Sequence, residues 1–147
     1  MKLALVLLAC ISSIAPSVGF AEEVQEIDVA GTFTTHVVPC SSLCTESAYA
    51  GDLVGTSNFT LISLEGTSNP NVVRYVGTLV VHTSHGDLVG QDIGLWNTTT
   101  GKYTDTYQVT SGTGIYTDAT AVLFLKGTLN AVTGLGSSTY SGKITLP

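Results

Sequence analysis

The chain has 147 residues, 11% of them charged, with eleven Asp and Glu against five Lys and Arg and a formal net charge of −6. That acidic balance, with its few bases scattered, excludes nucleic acid and anionic membrane surfaces as partners. The length suits one domain with a real core.

Residues 1–21, "MKLALVLLACISSIAPSVGFA", have one early Lys, an apolar run from Leu3 to Ile14, and small residues at Gly19 and Ala21. This is the layout of a secretory signal peptide, and the run is too short to span a bilayer. Cys10 follows "LLA" but lies too near the N-terminus to read as a lipoprotein acylation site. The expectation is a secreted or periplasmic protein whose domain is residues 22–147, with no membrane span. Cys40 and Cys44 flank "SSL" and form a disulfide in an oxidising compartment. So short a loop contributes about 2 kcal/mol in the chain-entropy model and pins a surface loop.

After residue 21 no helical apolar period is sustained, and alternation dominates. Ile27–Val38 sets Ile27, Val29, Phe33 and Val37 against Asp28, Thr32, Thr34 and His36. Glu46–Leu64 places Tyr49, Leu53, Phe59 and Leu61 on one face. Asn71–Thr83 places Val73, Tyr75, Leu79 and Val81 on one face and Arg74, Thr78 and His82 on the other. Asp87–Asn97 and Lys102–Thr110 follow, the second with Tyr103, Tyr107 and Val109 together. Thr120–Asn130 is apolar on both parities and reads as covered on both faces. Ser138–Leu146 closes the series. Gly-, Asn- and Ser-rich turn signals separate these runs. The prediction is an all-β fold, an antiparallel barrel of about eight strands or a sandwich. The pentamer "GDLVG" occurs at Gly51–Gly55 and again at Gly86–Gly90. Both copies read as equivalent barrel corners, with Leu53 and Leu88 in the core and Gly55 and Gly90 inward on the same face.

Three segments in one order, "YAGDLVGTSNFTL", "RYVGTLVVHTSHGDLVGQDIGLWN" and "VTSGTGIYTDATAVLFLKGTL", resemble small bacterial domains of unknown function with an allene oxide cyclase-like barrel. These are relatives in fold of allene oxide cyclases and dirigent proteins. The match runs from Ala48 to Leu129 and rests on glycines and turn residues, with "YTDA" standing where "FAGA" is common. The resemblance implies an eight-stranded barrel with a central cavity, often oligomeric. In its enzymes that cavity steers cyclisation or coupling of an unstable apolar intermediate. No catalytic residue carries over, because the shared motifs contain none.

Parity supplies the site candidates. Asp92 shares a face with Leu88 and Trp96, and Asp105 with Tyr103 and Tyr107. A carboxyl group among aromatics has a raised pKa and suits acid–base work, although one bulge would turn either acid to water. Tyr49, Tyr75, Tyr107 and Trp96 are the expected ligand-binding lining, with Tyr103 and Tyr140 as further aromatics; ordinary core is the plainer reading of all six. His82, His85 and Asp87 match no zinc spacing, so neither metal nor cofactor is expected. Asn58 and Asn97 head glycosylation sequons, which matter only in a eukaryotic host.

The leading expectation is a secreted barrel that binds a small apolar molecule. The alternatives are an isomerase or cyclase with Asp92 or Asp105 handling the proton, and a filled barrel acting as a surface or assembly protein. In the last case outward Val89, Ile93 and Leu95 would form a homo-oligomer face.

Overall fold

Strand-forming residues in alternation with polar ones build eight strands: β1 (Gln25–Val38), β2 (Cys44–Gly51), β3 (Gly55–Gly66), β4 (Val72–Thr83), β5 (Gly86–Asn97), β6 (Lys102–Gly112), β7 (Thr120–Leu129) and β8 (Leu135–Leu146). The computed structural model describes residues 24–147. The segment read as a signal peptide, residues 1–21, lies outside them. Each strand pairs antiparallel with the next, and β1 pairs with β8 from Gln25↔Leu146 to His36↔Leu135, closing the barrel. Closure leaves no free sheet edge. Among the described residues no helix is long and apolar enough to cross a membrane.

Antiparallel order puts the connections at two ends. The 52–54, 84–85 and 113–119 connections share one end with the start of β1. There Leu53, Leu88, Tyr116 and Ala119 are buried, and Tyr116 belongs to a single 3-10 turn, Gly114–Tyr116. The Tyr140 hydroxyl accepts the Leu53 N–H at 2.7 Å and ties this floor together. The 39–43, 67–71, 98–101 and 130–134 connections ring the other end, the mouth. None of those four contains Asp, Glu, Lys, Arg or His.

Core side chains follow the inward parity. Leu53, Leu88, Leu123 and Ile144 are essentially inaccessible, and each such burial stabilises by about 1.5–3 kcal/mol. Two bulges interrupt the ladders. One lies at Ile62 in β3, between the Leu61↔Gly77 and Ser63↔Val76 pairs. The other lies at Thr110 in β6, where Val89 pairs with Ser111 and Gly90 with Val109. Neither falls between Tyr103 and Val109, so the parity of β6 holds through Asp105.

Two expectations need correction. Thr120–Asn130 is covered on one face only: Ala121, Leu123 and Leu125 are inside, while Val122 and Phe124 are 47% and 61% exposed outside. The two pentamers are not equivalent corners. Gly51–Gly55 spans the end of β2, the turn and the first residue of β3, whereas Gly86–Gly90 lies wholly in β5. They do share the floor and their steric role. A Cβ on Gly55 would lie 1.8 Å from the His82 carbonyl oxygen, and one on Gly90 would lie 1.9 Å from that of Gln108. Adjacent strands therefore approach more closely there than any side chain permits.

Candidate functional site

The barrel interior above the floor holds a cavity of about 80 Å³ whose lining is mostly apolar. That is room for a few waters, so an occupant is either small or extends past the rim. Leu43, Leu61, Leu129 and Trp96 line it toward the mouth, and Tyr49, Tyr75, Asp92 and Asp105 line it deeper. The Cys40–Cys44 disulfide, with Cα atoms 6.0 Å apart, fixes the loop carrying Leu43. The Leu61 N–H donates to the Leu43 carbonyl at 2.9 Å and binds that loop to β3.

Both acids face inward, Asp92 at 5% and Asp105 at 7% exposure. Asp92 lies on β5 opposite Gly77 of β4 and Tyr107 of β6. One step toward the mouth, Tyr75, Gly94 and Asp105 sit opposite one another on β4, β5 and β6. Across that row Tyr75 donates its hydroxyl hydrogen to Asp105 Oδ2. The contact depends on Gly94, where a Cβ would lie 2.5 Å from Asp105 Cβ and 2.7 Å from Tyr75 Cζ. The same arrangement recurs on β6, β7 and β8. Tyr103 passes over Gly127 to hydrogen-bond with Ser138 Oγ.

The two carboxyl groups lie close enough that each influences the other's titration. Burial, then the charge of Asp105, holds Asp92 well above the ordinary carboxylate range. Burial pushes Asp105 up to about 7, against the lowering effect of the hydrogen bonds from Tyr75 and Asp92. These directions fit Asp92 as the proton holder and Asp105 as the acceptor. Neither Asp92 Oδ1 nor Asp105 Oδ1 meets an N–H or O–H donor of the described residues, and Trp96 Nε1 meets no acceptor among them. Among the described residues no Lys, Arg or His lines the cavity.

No protein-family model, no curated protein and no solved structure matches the chain.

The aromatic expectations divide. Tyr49, Tyr75, Tyr103 and Trp96 line the cavity. The Tyr49 ring stacks on Phe33 with centroids 4.7 Å apart, and Tyr75 meets Phe59 edge to face at 6.0 Å. Tyr107 does not line it, contrary to the sequence reading. It lies on the inward parity but deeper, where its hydroxyl meets the Leu88 and Leu79 carbonyls at 2.7 and 3.1 Å. Tyr140 likewise belongs to the floor. Tyr–Gly pairs directly opposite each other on adjacent strands were the unread signal, and they become visible only once strand register is known.

Outside the barrel, His82 bonds Asp87 Oδ1 through Nδ1 at 2.9 Å and Asn58 Oδ1 through Nε2 at 3.0 Å. His85 is not part of that group. Asn58 is exposed, whereas Asn97 is half-buried and caps a turn by accepting the Thr99 and Thr100 N–H groups. Val89 and Ile93 are half-buried on the outer face, and Leu95 is exposed there.

Proposed function

We propose that this barrel binds one small, mainly apolar molecule in its interior. The observation that carries this reading is the cavity itself, aromatic-walled, entered from an uncharged mouth and holding two buried acids with unmet oxygens. Ligand sites combine an apolar lining with a few convergent polar groups in this way. A secreted or periplasmic location belongs to the same reading. It is supported by the disulfide and by the layout of residues 1–21. The resemblance to allene oxide cyclase-like barrels favours an internal ligand as well.

The chain has one tryptophan, so its fluorescence reports on this cavity. Small aromatic alcohols should change Trp96 emission saturably, with about one site per chain. A signal unmoved by every small aromatic tried, with no heat of binding, would overturn the reading in favour of a barrel whose outer surface does the work.

One observation favours a second reading, that of an isomerase or cyclase. A buried carboxyl pair in which Asp92 is held protonated and Asp105 titrates near neutrality can both give and take a proton on a bound substrate. In D2O the protein should then catalyse exchange at the α-carbon of small ketones, and Asp92→Asn should abolish it. Binding without exchange would leave a passive carrier.

A further inference from the structure

The two buried acids set a problem that an apolar ligand does not solve. Asp92 and Asp105 project into one cavity, and among the described residues no cationic side chain lines it. Buried charge is tolerated when it is neutralised or paired. In the empty barrel burial favours the protonated, neutral form of the carboxyl groups, which meets that need. A ligand that displaced the proton would have to bring its own positive charge and its own donors.

We infer that the ligand is a small primary amine, bound as its ammonium ion between the carboxylates of Asp92 and Asp105 and boxed by aromatic rings. The inference rests on the reading that the interior holds a ligand, and it names the polar end of that ligand. Three observations converge on it. Asp92 is 5% exposed, and its Oδ1 meets no donor among the described residues; the same holds for Asp105 Oδ1. An ammonium group carries three N–H donors and can serve both oxygens at once. Phe33, Tyr49, Phe59, Tyr75, Tyr103 and Trp96 wall the cavity on several sides, and a cation close to such faces is attracted by their quadrupoles. The formal net charge of −6 and four mouth connections without a charged residue leave no electrostatic barrier to a cation entering.

Charge balances in the exchange. Above about pH 7, with Asp105 ionised and Asp92 neutral, the empty pair holds one proton and one negative charge, and below it a second proton. The bound pair is two carboxylates and one ammonium, again with one net negative charge, so at least one proton leaves as the amine enters. The other titratable groups facing the pair are the phenols Tyr49 of β2, Tyr75 of β4, and Tyr103 and Tyr107 of β6. All four are held above the ordinary phenol range, chiefly by burial, and stay neutral. The cavity-lining residues from β1, β3 and β7 include no titratable side chain. Affinity should therefore rise with pH until the free amine itself deprotonates.

The test compares 2-phenylethylamine with its neutral isostere 2-phenylethanol, using the full secreted chain, Trp96 fluorescence and calorimetry. At about pH 8 the amine should bind at least about tenfold more tightly than the alcohol. Calorimetry in buffers of different ionisation enthalpy should show net proton release for the amine, larger below about pH 7 than at pH 8, and none for the alcohol. Asp92→Asn and Asp105→Asn should each bring the ratio of amine to alcohol affinity down to about one. Should either variant fail to fold, the proton release and pH profile of the natural chain decide alone. Equal affinity for amine and alcohol, or amine binding without proton release, overturns the inference and leaves ligand binding intact. Failure of both compounds to bind overturns the ligand-binding reading together with it.

Discussion

Tyr75 shows how much one hydrogen bond controls at this site. Its hydroxyl donates to Asp105 Oδ2 and lowers the pKa of a carboxyl that burial has raised to about 7. Removing the donor takes stabilisation from the charged form only, so Tyr75→Phe should raise the Asp105 pKa further. Carbon-detected NMR titration of the aspartate carboxyl groups would measure this, and an unchanged or lowered value would rule out the assigned role. Gly94 holds the same contact sterically. The inward parity of Asp92 and Asp105 was legible from Leu88-x-x-x-Asp92-x-x-x-Trp96 and from Tyr103-x-Asp105-x-Tyr107. Their proximity was not, because no local pattern states which residue of β5 lies opposite which residue of β6.

At the scale of the strand, β5 and β6 carry the site because their inward faces mix glycine with large or charged residues. Gly90, Asp92, Gly94 and Trp96 alternate along β5; Gly94 leaves room for the Tyr75 and Asp105 side chains, and Gly90 lets the β6 backbone approach. Gly90→Val should destabilise the barrel by about 1–3 kcal/mol through overpacking against the Gln108 carbonyl. Denaturant melts would show this as a lower midpoint; an unchanged midpoint would mean that β5 and β6 can separate there without loss. The sequence correctly marked Gly90 as inward. It missed that the two pentamers occupy different places, since a five-residue string is the same whether a turn interrupts it or not. It also misread β7: Val122 and Phe124 satisfy β propensity, but only the absence of a covering layer shows that they face outward.

For the whole molecule, the buried acid pair sets how stability depends on pH. Asp105 titrates at about 7 in the folded barrel, well above the roughly 3.9 of an unfolded aspartate, and Asp92 is shifted in the same direction. The folded state thus binds protons more tightly than the unfolded chain. The contribution of the pair is complete below about pH 4 and is lost as pH rises through about 7. Thermal melts should accordingly show the natural chain gaining stability between about pH 8 and pH 5, with Asp92→Asn flattening that slope. Parallel slopes in the two proteins would place the acids' titration outside this window. Alternation, turn chemistry and cysteine spacing by themselves determined the all-β class, the inward and outward faces, and the Cys40–Cys44 bridge, because each is written in residues close together in the chain. Strand register, the closed floor, the retirement of Tyr107 into that floor and the meeting of Asp92 with Asp105 and Tyr75 were decided only by the tertiary structure. They depend on pairing between residues as distant in the chain as Leu53 and Tyr140 or Gln25 and Leu146, and it is barrel closure, not local preference, that fixes such pairings.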